Sequence, residues 1–184
     1  MDKGSELYRR CLDGDEEALG ELVAAYRPGL QRYLCGMVHD MDTAEDLTQE
    51  TFVRLLLKRP KDKGGASFKT WLFTIGGNLA RDHLRKAKKQ GSVPMEDCFA
   101  LADPAPTPEA SALAAAEKAR LQTALEQLSP VYRQVLYLTY YEGFDTEALA
   151  AILGKSRHNT SALLYRAKSA LRQLLEQEKD FYEN

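Results

Sequence analysis

Apolar residues recur along this chain at helical spacing, with no run of strict alternation that would argue for strands. From Asp15 onward, Ala18, Leu19, Leu22, Val23 and Tyr26, then Leu30, Tyr33, Leu34 and Met37, lie on one stripe. Pro28 should kink or break it, giving one bent helix or an antiparallel pair. After a break at residues 39–42, Asp42 with Glu45 three positions on reads as a capping-box start. Ala44, Leu47, Thr51, Phe52, Leu55 and Leu56 then carry a stripe that should stop before Arg59-Pro60. Ser67 is the next N-cap, followed by Phe68, Leu72, Ile75, Leu79 and Leu84 near one helical face. Four helices ahead of residue 90 predict a helical bundle.

Residues 91–112 hold four of the seven prolines, four acids and no Lys or Arg, the composition of an acidic spacer. Helical periodicity resumes with Leu113, Ala116, Leu121, Leu125 and Leu128. Ser129 as cap and Pro130 in the first turn start another helix, with Val131, Val135, Leu136 and Leu138 as its buried stripe and Gly143 as its stop. Asp145 or Thr146 opens a short helix through Leu153, Gly154 closes it, and Ser156 caps a last helix to Glu176. The expected fold is all-α, with helical domains over residues 1–92 and 113–184 joined by a linker over 93–112.

Composition refines this picture in one respect. Apolar content of 44% and charged content of 28% are ordinary for a globular protein, but the net charge of −2 hides a segregation. Residues 1–53 carry five Lys/Arg against twelve Asp/Glu, whereas residues 61–90 carry eight against two. Such a division suits one surface that meets a protein and another that meets phosphates. Cys11, Cys35 and Cys98 are far apart and in no CxxC pair, so neither a disulfide framework nor a metal site is signalled. The start lacks the apolar core of a secretion signal, and no apolar run has the length of a membrane span, so a cytoplasmic protein without direct membrane contact is expected.

The basic segment from Ser67 to Lys89 combines its apolar stripe with Lys69, Arg81, Arg85, Lys86, Lys88 and Lys89 outside it, and adds Trp71, Phe73 and the pair Gly76-Gly77. It reads as a nucleic-acid element, the alternative being a plain solvated amphipathic helix. Near the C-terminus, Ala150, Gly154 and Leu163 have helix-turn-helix spacing, although Thr160 stands where an apolar residue is usual. Arg157, His158, Asn159, Ser161 and Ala162 are placed for the major groove, with Lys155, Arg166 and Lys168 for phosphates. Catalysis has little support, because the three histidines lie in separate elements and no nucleophile elbow or P-loop occurs. Asp82-His83 is the nearest thing to a dyad, but sequence neighbours point about 100° apart on a helix. No catalytic residue, metal or cofactor is expected.

The order TAEDLTQETF, FKTWLFTIGGNLARDHLRK, linker, LSPVYRQVLYLTYYEGF, EALAAILGKS and LLYRAKSALRQL resembles the extracytoplasmic-function (ECF) sigma factors of bacterial RNA polymerase. The resemblance spans residues 5–92 and 113–176 and implies a promoter-recognition subunit rather than an enzyme. It implies that Asp42, Glu45, Asp46, Gln49 and Glu50 meet the clamp helices of the largest polymerase subunit. It assigns Phe68, Lys69, Thr70, Asn78, Arg81 and Arg85 to the minus-ten element of promoter DNA, with Trp71 in the core. In the last helix, Ser161, Ala162, Tyr165 and Arg166 fall on minus-thirty-five contacting positions. It further implies an anti-sigma factor, which in some members is membrane-anchored. Many members carry basic residues where Ser161 and Leu163 stand, and better helix formers where Gly76 and Gly77 stand. Alanine at both glycines is therefore expected to raise thermal stability. A stand-alone helix-turn-helix regulator is the rival reading, and a hydrolase built on Asp82-His83 a third.

Overall fold

Helices begin in this chain where a short carboxylate or hydroxyl side chain can take an orphan amide of the first turn. In the computed structural model, which describes residues 2–58, 66–89 and 112–183, every regular element is helical. Asp2 caps α1 (Lys3–Leu12) by accepting from the Ser5 amide at 2.9 Å. Asp15 caps α2 (Glu16–Val38) through the Ala18 amide at 3.0 Å, and His39 ends it in the left-handed region. α3 (Met41–Lys58) follows, and Arg59-Pro60, before which it was expected to stop, lie outside the described residues. Ser67 opens α4 (Phe68–Lys89) by accepting from the Thr70 amide at 3.2 Å.

For this half one open alternative is resolved and one expectation is corrected. Pro28 does not divide the first stripe: α2 is continuous through it, because Leu22 and Leu30, Tyr33 and Leu34 beyond it are all fully buried and outweigh the roughly 3 kcal/mol a helical proline costs. The fourth helix of the expected count is α1, for which the spacing of Leu7, Tyr8 and Cys11 after Asp2 was the available signal. The start of α3 is also capped differently. Asp40, not Asp42, accepts from the Thr43 amide at 2.7 Å, and the bonds from the Thr43 hydroxyl and amide hold the Asp40 carboxyl below its ordinary pKa.

The second half comprises α5 (Ala112–Gln127), α6 (Pro130–Leu136) capped by Ser129, a π-helical turn (Tyr137–Tyr141), α7 (Thr146–Leu153) and α8 (Arg157–Glu183). Asp145 caps α7 through the Ala148 amide at 2.8 Å, Gly154 closes it at φ 64°, and Ser156 takes the Asn159 amide at 3.2 Å. α8 therefore runs past Glu176. Val135, Leu136 and Leu138 are buried as expected, but Val131 in the first turn of α6 is exposed. Thr160, out of place by pattern, is fully buried with its hydroxyl donating to the Ser156 carbonyl at 2.9 Å, so its polar group is satisfied. The acidic spacer falls outside the described residues.

The glycine pair has a packing reason. A Cβ on Gly76 would come within 2.9 Å of Leu30 Cδ1, and one on Gly77 within 2.6 Å of the Tyr33 hydroxyl. Both atoms belong to fully buried side chains of α2. The glycines let α4 lie close on α2, so the expectation that alanine stabilises this helix is reversed.

Asp2 joins distant parts of the first half. Its second carboxylate oxygen accepts from the Phe68 amide at 3.0 Å, so one side chain caps both α1 and α4. Burial pulls its pKa upward, but the Phe68 and Ser5 amides outweigh that and leave it below the ordinary aspartate value. Asp2→Ala is expected to cost about 1–2 kcal/mol at neutral pH. A depressed carboxylate stabilises above its unfolded pKa, so this increment should fade as pH falls through the ordinary aspartate range and the lower folded value. Urea melts at pH 7 and pH 3 check it: the gap between parent and variant should be large at the first and small at the second.

Candidate nucleic-acid interface

α4 has two working faces. One, carrying Phe68, Leu72 and Leu79, is buried on α1, α2 and α3, with Ile75 and Leu84 partly buried against the same core. The other repeats every four residues: Lys69, Phe73, Gly77 and Arg81. That stripe meets the second half of the chain. Lys69 Nζ lies 2.6 Å from a Glu142 carboxylate oxygen and donates to the Glu142 carbonyl at 2.8 Å. Phe73 packs edge-on to Phe144 with ring centres 5.1 Å apart, and Arg81 donates to the Ile152 carbonyl at 3.1 Å.

The six residues assigned to minus-ten DNA are thus distributed unequally. Phe68 is buried, its ring centre 5.6 Å from Tyr8, 5.3 Å from Tyr26 and 6.0 Å from Trp71, so it builds the core and presents no face to DNA. This corrects its assignment as a contact. Trp71 is half-buried beside it, as the resemblance implied. Thr70 is also buried, its hydroxyl 2.9 Å from that of Ser67. Lys69 and Arg81 are engaged by the second half. Asn78 and Arg85 are exposed, Asn78 accepting from Arg81 at 2.7 Å and Arg85 paired with Asp82 at 2.7 Å. Because Asp82 serves Arg85, the structure gives no support to an Asp82-His83 dyad.

On α8 the side chains of Arg157, His158, Asn159 and Ser161 are exposed at the first two turns, with Lys155 exposed in the turn before them. Arg166 is exposed as well, and Tyr165, at 73%, is the most exposed aromatic of this face. Ala162 is half-buried, and Leu163 is buried in the core. Lys168 turns its ammonium over the Tyr140 ring at 5.4 Å, a cation–π contact within its own half. The face is therefore a basic, hydrogen-bond-rich helix start standing clear of the core, the form that reads base edges in a major groove.

The acidic residues of α3 occupy a third surface. Asp42, Asp46 and Gln49 are exposed along one line, which continues into Val53 and Leu57, the latter 78% exposed. Glu45 and Glu50 are half-buried and paired, with Arg27 at 2.6 Å and Arg54 at 2.6 Å. The apolar continuation was legible in the sequence, since 42, 46, 49, 53 and 57 share a face. Val53 and Leu57 thus leave apolar surface in water beside exposed carboxylates.

Comparison with known proteins agrees with this geometry. Residues 22–90 match the family model for Sigma-70 region 2, and residues 118–171 that for Sigma-70, region 4. The RNA polymerase sigma factor CarQ of Myxococcus xanthus is 34% identical over 167 residues, covering 90% of this chain and 94% of that protein. The ECF RNA polymerase sigma factor BldN of Streptomyces coelicolor is 32% identical over 171 residues, covering 92% of this chain but 65% of that longer protein. Among solved structures, the sigma factor RpoE in complex with the anti-sigma factor NepR from Bartonella quintana superposes with a TM-score of 0.62 at 27% identity, covering 86% of this chain and 96% of that one. CnrH in complex with the cytosolic domain of CnrY gives 0.62 at 26% identity, covering 96% and 99%. With both sigma regions present in order on an all-α two-domain fold, the chain belongs to the ECF sigma factors of the sigma-70 family.

Proposed function

We propose that this sigma factor binds core RNA polymerase through α3, reads the minus-thirty-five element with α7 and α8, and holds the opened minus-ten element on α4. Residues 1–92 serve the polymerase and the minus-ten DNA, residues 93–112 link, and residues 113–184 serve the minus-thirty-five DNA. The observation that carries the reading is the α3 stripe, acidic at Asp42 and Asp46 and apolar at Val53 and Leu57, which a DNA-only regulator has no use for. The carboxylates steer the encounter with a basic partner surface and the apolar end contributes burial.

At the other end of the chain, Arg157, His158, Asn159 and Ser161 supply donors and acceptors for base edges, while Lys155 and Arg166 supply phosphate contacts. Once strands separate, the basic side chains of α4 hold the backbone. In this reading the chain's work is to position DNA and polymerase. An anti-sigma partner is supported by the two solved relatives captured with theirs. A cytoplasmic location accords with that work, and among the described residues no helix is long and apolar enough to cross a membrane.

The test is a pull-down on purified core polymerase followed by transcription from a genomic template library. The parent should bind and yield promoter-specific transcripts. Leu57→Asp and Asp46→Lys should each weaken core binding at least about tenfold, roughly 1.4 kcal/mol, with unchanged melting because both sites are exposed. Tight duplex binding by the isolated chain with no association with core enzyme would favour a stand-alone regulator instead.

A further inference from the structure

We infer that the chain carries its own autoinhibitory latch, in which Glu142 of the second half holds Lys69 and so keeps the α4 stripe away from single-stranded DNA. The inference rests on the reading of α4 as the minus-ten element.

Glu142 is built into its position. Its side chain is only 8% exposed and that of Lys69 31%, so the ion pair is largely out of water. A carboxylate so placed needs every oxygen satisfied. One oxygen takes Lys69; the other accepts a short hydrogen bond from the Tyr137 hydroxyl, which also lies 3.5 Å from the Gly29 carbonyl of α2. The π-helical turn makes this possible. Its extra residue stacks Tyr141 on Tyr137 with ring centres 5.2 Å apart and brings the Glu142 amide onto the Tyr137 carbonyl at 3.1 Å. From the first half, Arg32 lies over the Tyr141 ring at 5.0 Å. Such turns are rare and concentrate at functional sites.

The cations on the occluded stripe are ones the DNA reading requires. Lys69 and Arg81, about three helical turns apart on one face of α4, are both spent on the second half: one on Glu142, the other on the Ile152 carbonyl. Neither can hold a phosphate while so engaged. Between them Phe73 is covered by Phe144, and a Cβ at Gly77 would stand 3.4 Å from the Ile152 carbonyl. The closed arrangement and strand binding are therefore mutually exclusive. Apparent DNA affinity is the intrinsic affinity multiplied by the fraction of chains in the open form. Polymerase, by drawing the two halves onto separate surfaces, would raise that fraction.

Two variants test the latch from opposite sides. Glu142→Gln keeps the shape and removes the charge. Gly29→Ala leaves the second half untouched and favours α2 as a helix, yet its Cβ would lie 2.5 Å from a Glu142 carboxylate oxygen. The full-length free chain is treated with an amine-acetylating reagent, and Lys69 labelling is compared with exposed Lys86 by mass spectrometry. Affinity for a fluorescent random-sequence single-stranded 30-residue DNA, a length chosen to span roughly two site sizes of a single-strand-binding fold, is measured by anisotropy at low salt. Lys69 in the parent should label far more slowly than Lys86. Both variants should bring its labelling up toward that of Lys86 and raise DNA affinity on the order of tenfold. Equal labelling of Lys69 and Lys86 in the parent overturns the latch. Faster labelling of Lys69 with unchanged DNA affinity overturns its inhibitory role. Faster labelling with no DNA binding by any form overturns the minus-ten reading of α4, and the inhibitory role with it, while the ion pair itself stands.

Discussion

Replacing Phe68 by alanine is expected to remove about 3–5 kcal/mol of stability, the usual cost of deleting a buried aromatic ring. The ring is enclosed by Tyr8, Tyr26 and Trp71, one each from α1, α2 and α4, and its amide is the one that Asp2 caps. Phe68 is thus the joint at which three helices meet, and a cavity there loosens all three. The family resemblance instead assigns this position to DNA, and the two roles separate cleanly in experiment. A packing residue lowers stability and leaves affinity per folded molecule unchanged; a contact residue does the reverse. Because the alanine variant could unfold, Phe68→Leu provides the decisive arm, with an expected loss of about 1.5 kcal/mol or less. Urea midpoints and single-stranded DNA anisotropy, measured well below the melting temperature, give both quantities. An unchanged midpoint for Phe68→Leu with a tenfold drop in affinity would return Phe68 to the DNA contacts.

Local chemistry made most of the helix boundaries legible. Asp15, Ser67, Ser129-Pro130, Asp145, Gly154 and Ser156 act within a few residues of themselves, and each starts or stops a helix where the sequence said it would. Where two local signals competed, pattern alone could not choose. Asp40 and Asp42 each have a capping partner three residues on, and the left-handed turn at His39 gives the role to Asp40. Val131 fits the spacing of its stripe, yet in the first turn of α6 it projects into solvent. Long-range contacts left no trace in the sequence. Asp2 reaches Phe68 across 66 residues and Lys69 reaches Glu142 across 73, and nothing near either acid announces the partner. The helix-turn-helix face could be read because its residues stand clear of the core on one local element. The α4 face could be read only in part, because half of its candidate contacts are committed to neighbours that the chain brings back from elsewhere.

The glycine pair shows how such a neighbour reverses a local argument, and it supplies a second large effect. Gly77→Ala should lower stability by about 1–2 kcal/mol net: overpacking costs about 1–3 kcal/mol and helix propensity returns up to about 1. The new Cβ would stand 2.6 Å from the Tyr33 hydroxyl, which cannot swing away because its ring is fully buried and stacked on Phe73 at 5.6 Å. Tyr33→Phe removes the atom in the way. In that background Gly77→Ala should become neutral or mildly stabilising, a coupling of at least about 1 kcal/mol in a double-mutant cycle. The hydroxyl leaves a second mark. Burial pushes the Tyr33 pKa up to about 12, with the nearby Arg81 guanidinium pulling the other way. An acid with a raised folded pKa contributes fully below its unfolded value near 10, and stability is lost as pH climbs from there toward 12. Tyr33→Phe should therefore flatten the alkaline limb of the stability curve, followed by urea melts between pH 8 and the onset of base damage. Gly77→Ala raising the melting temperature of the chain with Tyr33 intact would show that α4 is not pressed onto α2 as closely as the glycines require.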